Sequence, residues 1–280
     1  MDILSAVVAG IIQGLTEFLP VSSSGHLALY HAFFGSSPVG SRAAFDAFLH
    51  LGTLIAVCAV CRKDVVGLAA GCFTGVRKIF CGKARQGFST YERLAFFTLI
   101  ATLPLVLLAL AGADGAAEAM SLHPVLVGAA LICNGFIILF SEKAGKGDKD
   151  LSEMDAMTAV ITGLCQGIAI VPGLSRSGCT VSGGLLCGLD RESAVRFSFL
   201  ISVPAIIGAN VLKLPEVITS GSLHTDAAAY ICGFAAAAIS GFCAIRLFLF
   251  TAKKAKLRYF SLYCFALGVI AVVNEIISLK

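Results

Sequence analysis

Along most of the chain, apolar positions run on without the alternation of a half-buried strand or the single stripe of a water-exposed helix. Unbroken apolar runs of roughly 20 residues recur, the length that crosses about 30 Å of hydrocarbon. Segments 45–61, 91–112, 121–140, 193–213, 226–248 and 259–277 predict six membrane-spanning helices. Two further apolar stretches, 2–34 and 155–188, are interrupted mid-run by Pro and by Ser/Gly clusters, and neither half reaches spanning length. Interrupted segments are tolerated at membrane depth where they pack in protein or line a wet cavity. Both therefore read as re-entrant helix–loop–helix elements. The expected fold is an all-α polytopic membrane protein, one domain over 1–280, with six transmembrane helices and two re-entrant segments.

Composition supports the membrane reading and excludes an ordinary soluble enzyme. Hydrophobic residues make up 58% of the chain and charged residues 14%, against about 25% charged in a typical soluble domain. The mean hydropathy is +0.91. The opening MDILSAVVAG lacks the basic region of a cleavable signal peptide and is kept as structure. Most of the cysteines, among them Cys58, Cys133, Cys232, Cys243 and Cys264, sit inside apolar runs as small hydrophobes. The Cys58–Cys61 spacing has no second pair to make a metal or redox motif.

The net charge of +4 matters through its placement. Arg62, Lys63, Arg77, Lys78, Lys83, Arg85 and Arg93 fall in the 62–93 link, and Arg246, Lys253, Lys254, Lys256 and Arg258 in the 246–258 link. Lys143, Lys146 and Lys149 precede the second broken segment, and Arg191 and Arg196 follow it. The opposite loops, near 36–44, 113–120 and 213–225, hold only Arg42 and Lys213. Basic loops stay in the cytoplasm, so both termini and the first broken segment are expected outside. The second broken segment is expected to enter from the cytoplasm.

The broken segments resemble one another. Shifted by 153, residues 2–25 align without gaps on 155–178. Asp2, Ala6, Val7, Gly10, Gln13, Gly14, Ser22, Ser24 and Gly25 match Asp155, Ala159, Val160, Gly163, Gln166, Gly167, Ser175, Ser177 and Gly178. Each segment is followed by three spans, an odd number, so the repeats 1–140 and 155–280 are expected to be inverted. Such an arrangement brings the breaks together near the midplane. The GxxxG spacings Gly10/Gly14 and Gly163/Gly167 predict close helix packing.

The chemistry-bearing residues cluster at the breaks. In QGLTEFLPVSSSGHL, Gln13 and Glu17 share a helix face. Pro20 ends the half-helix and Ser22 is placed to cap the next. The second break, VPGLSRSGCT, carries Ser175, Arg176, Ser177, Gly178 and Thr180. Two helix N-termini form a cradle for an anion, and Arg176 adds a permanently charged fork suited to phosphate. Glu17 costs roughly 2.5–3.5 kcal/mol at bilayer depth on insertion scales, which points to function or a partner. His26 lies one turn beyond Ser22 and Ser23. Asp46 and His50 share a face at the outer end of the first span, either extending the site or pairing with each other. A diphosphate with a divalent cation would use all of these groups.

These two motifs, with FDAFLHLGTL and RFSFLISVP, resemble the undecaprenyl-diphosphate phosphatases of the bacitracin-resistance type. The resemblance runs from Ile3 to the last span. It implies hydrolysis of undecaprenyl diphosphate to the monophosphate at the outer face of the bacterial cytoplasmic membrane. That reaction recycles the carrier of peptidoglycan synthesis and gives bacitracin resistance. It implies Glu17, Ser23, His26 and Arg176 as catalytic residues, with Ser23 the nucleophile and His26 an acid/base. It further implies Gln13, Ser22, Ser24, Gly25, Ser175, Ser177, Gly178 and Thr180 as the phosphate-binding set. Mg²⁺ or Ca²⁺ is the implied cofactor, at Glu17 with Gln13. Where family members carry Glu at the first position this chain has Gln13, which removes one carboxylate from that site. The expected partners are the polyprenyl substrate and the bilayer, with no nucleic acid; a homodimer is left open. Two mechanisms also stay open, attack by Ser23 or by activated water, and so does the competing class of anion or lipid-phosphate transport, which would also use Arg176 and paired helix N-termini.

Overall fold

The computed structural model describes residues 2–34, 39–145, 147–219, 226–251 and 256–278. Lys146, Lys253, Lys254, the Arg42 side chain and positions 36–38 and 220–225 of the outer loops lie outside the described residues. The described residues form α-helices with one 3-10 turn, Ala84–Gln86, and their only β feature is an isolated bridge between Lys149 and Leu189. The helices are α1 Ile3–Glu17, α2 Ser23–Phe34, α3 Val39–Val60, α4 Arg62–Phe80, α5 Thr90–Leu110 and α6 Ala113–Ser121. They continue as α7 Pro124–Ala144, α8 Ala156–Ile168, α9 Arg176–Leu186, α10 Arg191–Thr219, α11 Ala227–Thr251 and α12 Arg258–Ser278.

Five helices are long and apolar enough to cross a membrane: α5, α7, the 191–213 part of α10, α11 and α12. They coincide with five of the six predicted spans. The sixth prediction, 45–61, falls in α3, which bends by 91° into α4 and makes a sixth span if the bent pair is counted as one. The 62–93 link was expected as a basic loop, and 113–120 as an outer loop; both contain helix. In α4 the reason lies in Gly67, Gly71 and Gly75, spaced four apart along the face turned to α5. A Cβ on Gly71 would sit 2.5 Å from the Tyr91 carbonyl oxygen, and one on Gly75 would sit 3.0 Å from the Phe96 ring. Basic residues at both ends of α4 lower its hydropathy and hide the helix from a simple apolar count.

Both interrupted stretches form pairs of short helices. α1 has 15 residues and α8 has 13, so each is about 20 Å long, short of the hydrocarbon thickness. Their N-termini are built alike. Asp2 accepts from the Ser5 N–H at 2.7 Å, and Asp155 from the Thr158 N–H at 2.8 Å. The expected glycine packing is present on both. A Cβ on Gly10 would lie 2.2 Å from the Gly233 carbonyl oxygen of α11, and one on Gly163 2.7 Å from Ala101 Cα of α5. Only glycine lets the backbones approach so closely. On the inner side of the first break, Phe18 meets Phe199 edge-on at 5.3 Å, within a core that also holds Phe197 and Phe248. All eleven cysteines are free thiols, and Cys61, Cys179 and Cys264 are buried.

Candidate active site

The two breaks touch. A Cβ on Gly25 would lie 3.0 Å from the Cα of Gly173, which itself adopts φ +99°. After each break a serine caps the following helix: Ser22 Oγ accepts from the Gly25 N–H at 3.2 Å, and Ser175 Oγ from the Gly178 N–H at 3.0 Å. Ser22 does so from φ +71°, the one left-handed non-glycine among the described residues, a conformation that costs roughly 1–3 kcal/mol and persists only under surrounding constraint. The first residues after the caps, Ser23 and Arg176, then face one carboxylate. Ser23 Oγ donates to Glu17 Oε2 at 2.5 Å, and Arg176 Nη2 donates to Glu17 Oε1. Gln13 Nε2 donates to the same Oε2 at 2.9 Å, as its four-residue spacing predicts. Glu17 is only 6% exposed, and Gln13 is fully buried.

His50 completes the surroundings of Glu17. Its Nδ1 lies 2.7 Å from the Asp46 carbonyl oxygen, to which it can only donate. Its Nε2 stands 3.5 Å from Glu17 Oε2. Asp46 uses its side chain elsewhere, at 3.2 Å from His31 Nε2. The two residues therefore do not pair through their side chains; His50 extends the site directly and Asp46 supports it. A cavity of about 300 Å³ opens on the His50 side of the cluster, lined among others by Ser24, His31, Asp46, His50, Asp114 and Lys213; Glu17, Ser23 and Arg176 are not part of its lining.

Several expected site residues have other occupations. The expected acid/base His26 does not meet Ser23: its Nδ1 donates to the Ser22 carbonyl at 2.7 Å, and its Nε2 accepts from Tyr263 Oη at 2.7 Å. The Tyr263 ring stacks on it at 5.6 Å. The ring is held instead by the Ser22 carbonyl one turn back and by Tyr263 of α12. The hydroxyls of the second break also have partners within the protein. Ser177 Oγ donates to the Leu19 carbonyl at 2.9 Å and lies 3.0 Å from Ser175 Oγ. Thr180 Oγ1 donates back to the Arg176 carbonyl at 2.7 Å and lies 2.6 Å from Ser198 Oγ. Ser24 Oγ lies 3.4 Å from Ser22 Oγ at the cavity wall.

Sequence reasoning missed His31, Tyr263, Ser198 and Asn134. Asn134 is fully buried in the middle of α7, and a lone amide inside an apolar run was the available signal. Its neighbours belong to distant segments, which no local pattern could reveal.

The family model described as Bacitracin resistance protein BacA matches residues 6–270. The chain belongs to this family. A relative named Undecaprenyl-diphosphatase from Methanobrevibacter smithii is 40% identical over 282 residues, covering all of both chains. Another of that name from Rubrobacter xylanophilus is 42% identical, covering 96% of each. A third, from Korarchaeum cryptofilum, is 40% identical over 96% of this chain and 98% of its own. A relative's name is that of a phosphatase, and the family match takes in both breaks and the spans as far as residue 270, within α12.

The cation that the resemblance implies would need oxygen donors around Glu17. Among the described residues no group of three or more His, Cys, Asp or Glu is arranged to hold a metal ion. What is present is one carboxylate, Glu17, and beside it the buried amide oxygen Gln13 Oε1, which has no hydrogen-bond partner. Mg²⁺ is commonly held by one or two carboxylates, with substrate phosphates and waters supplying the rest. These oxygen donors fit an ion that arrives with a diphosphate; they do not form an all-protein cage.

Proposed function

We propose that this protein hydrolyses undecaprenyl diphosphate to undecaprenyl phosphate and inorganic phosphate at the outer face of the cytoplasmic membrane. In a cell that uses this carrier, the reaction returns it to peptidoglycan synthesis and lowers sensitivity to bacitracin. The observation that carries the reading is the convergence of Ser23 and Arg176, each at a helix N-terminus, on the buried carboxylate of Glu17. A nucleophile, a base and a phosphate-holding cation thus stand together. A carrier for anions gains nothing from a carboxylate in that place, which favours an enzyme over a transporter.

In this reading the chain crosses the membrane six times, and α1/α2 and α8/α9 are re-entrant hairpins of an inverted repeat. The paired caps and glycine contacts of α1 and α8 support it. The terminal phosphate of the substrate is taken up between the first turns of α2 and α9. The leading N–H groups of these turns lack intrahelical partners and favour an anion. Arg176 turns its fork from Glu17 to the phosphoryl oxygens and stabilises charge as it develops. Glu17, released from the guanidinium, takes the Ser23 proton. Ser23 Oγ attacks the terminal phosphorus, forming the O–P bond as the bond to the bridging oxygen breaks and undecaprenyl phosphate leaves. Glu17 passes that proton to the departing undecaprenyl phosphate and, a carboxylate again, takes one from water, whose oxygen attacks the phosphoserine. The bond from phosphorus to Ser23 Oγ breaks, Ser23 Oγ takes the proton back from Glu17, and phosphate is freed. Direct attack by water held at Glu17 is the alternative, which Ser23→Ala decides: substantial turnover in that variant would remove the covalent step. Glu17 with Gln13 Oε1 would hold a divalent cation, Mg²⁺ or Ca²⁺, whose contribution is to neutralise phosphate charge. Polyprenyl lipid is the partner in the bilayer, and the protein acts as monomer or homodimer on the same chemistry.

The test is phosphate release from undecaprenyl diphosphate by purified protein in detergent, wild type beside Glu17→Gln and Arg176→Ala, with and without EDTA. Wild-type turnover that both variants abolish places the reaction at the breaks, and loss in EDTA that Mg²⁺ restores assigns the cation. Folded wild type that releases no phosphate would sink the enzyme reading and bring transport forward.

A further inference from the structure

Asn134, on α7 and so outside both breaks, bonds the two at once. Its Nδ2 donates to the Pro20 carbonyl at 3.1 Å, and its Oδ1 accepts from the Ser175 N–H at 3.0 Å. The second Nδ2 hydrogen faces Cys264 Sγ at 3.4 Å. Pro20 stands three residues before Ser23, and Ser175 is the residue before Arg176. Both bonded backbone groups belong to non-helical turns, where no intrahelical partner can satisfy them, and the amide that does so is fully buried. The amide is oriented by chemistry: a carbonyl can only accept and an N–H can only donate.

We infer that Asn134 is the positioning residue that holds the Ser23 half of the site in register with the Arg176 half. It sits on α7, a long spanning helix that belongs to neither break, and so provides a fixed reference for both. A second tie runs beside it, Ser177 Oγ to the Leu19 carbonyl at 2.9 Å, with Ser175 Oγ to the same carbonyl at 3.4 Å. Each half keeps its own cap, Ser22 or Ser175, so severing the ties leaves two intact half-sites free to slip against one another. Phosphate capture by Arg176 survives such a slip; in-line attack by Ser23 does not. A displacement of about 1 Å from a residue away from the chemistry can cost roughly 100-fold in rate. Removing the tie therefore lowers kcat and spares KM.

The inference rests on the phosphatase reading, and its test separates the two. The full chain in detergent is assayed with undecaprenyl diphosphate as wild type, Asn134→Leu, Ser177→Ala and the double variant. Values of kcat and KM are taken per folded protein, with melting temperatures alongside. Asn134→Leu is expected to lose roughly 100-fold in kcat with KM nearly unchanged. Ser177→Ala is expected to lose less, and the double variant no more than Asn134→Leu, because residues that share one register are not additive. Wild-type kcat in Asn134→Leu, or strict additivity in the double variant, would overturn the inference. If Asn134→Leu does not fold, Ser177→Ala decides: lower kcat at constant KM supports the tie, and higher KM at constant kcat overturns it in favour of a phosphate contact. An inactive wild type would fell the phosphatase reading, and this inference with it, a result distinct from an active Asn134→Leu beside an active wild type.

Discussion

The two breaks share a scaffold and differ in what it presents. Each ends a short helix, turns, and starts the next helix under a serine cap with a glycine at its third residue. At the first residue after the cap, one break presents the hydroxyl of Ser23 and the other the guanidinium of Arg176. The carboxylate that receives both comes from the first break alone; the position 153 residues on is Ile170. A geometry used twice thus gives two anion-seeking helix ends, and the difference between them makes a reactive site from what would otherwise be a symmetric binding cradle. The hydroxyls differ too. Those of the second break, Ser175, Ser177 and Thr180, are spent on backbone and on Ser198, whereas Ser23 is spent on Glu17.

The largest effect is expected where the asymmetry itself is removed. Arg176→Ser gives the second break the hydroxyl of the first, and phosphate release should fall by roughly 10²–10³-fold, the loss typical of one preorganised charge-stabilising donor. Arg176→Lys keeps the charge without the planar fork and should fall between that variant and wild type. Equal activity in all three would mean that the second break contributes only shape. Melting temperatures are needed beside these rates, since removing one partner of a buried ion pair destabilises by about 3–5 kcal/mol.

A smaller contrast concerns the caps. Ser175→Ala and Ser22→Ala should each destabilise by about 1 kcal/mol, the usual loss of an N-cap. Glycine sharpens the comparison, because only Ser22 occupies the left-handed region. Ser22→Gly regains conformational ease where the side chain is strained, so it should melt above Ser22→Ala by more than Ser175→Gly melts above Ser175→Ala. Equal differences at the two sites would remove the claim of strain at Ser22.

The smallest effect is predicted at His26, whose two ring nitrogens are engaged by Ser22 and Tyr263. Tyr263→Phe and His26→Asn should each reduce turnover by less than about tenfold, well short of the 10²–10⁴ expected of a general acid or base. A loss in that larger range for His26→Asn, with Tyr263→Phe near wild type, would return His26 to the reaction and imply that it turns toward Ser23 when substrate is present.

The apolar runs alone determined that this is a membrane protein with spans at 91–112, 121–140, 193–213, 226–248 and 259–277, because a bilayer imposes length and polarity on each helix independently of its neighbours. Local chemistry likewise announced the cap at Ser22, the Gln13–Glu17 face and the glycine spacings, all set by neighbours within one or two turns. The bend after Val60 and the helix beyond it were not legible, since they depend on α4 finding α5 across its glycines. Nor could sequence decide which hydroxyls face a ligand. Ser23 and Ser177 are both hydroxyls within two residues of a cap, and only the meeting of the breaks gives one to Glu17 and the other to the Leu19 carbonyl. The same holds for His26, drawn to a tyrosine 237 residues away, and for Asn134, whose role exists only because α7 runs behind both turns. Side-chain roles of this kind follow from competition for buried hydrogen-bond partners, and tertiary packing decides who the competitors are.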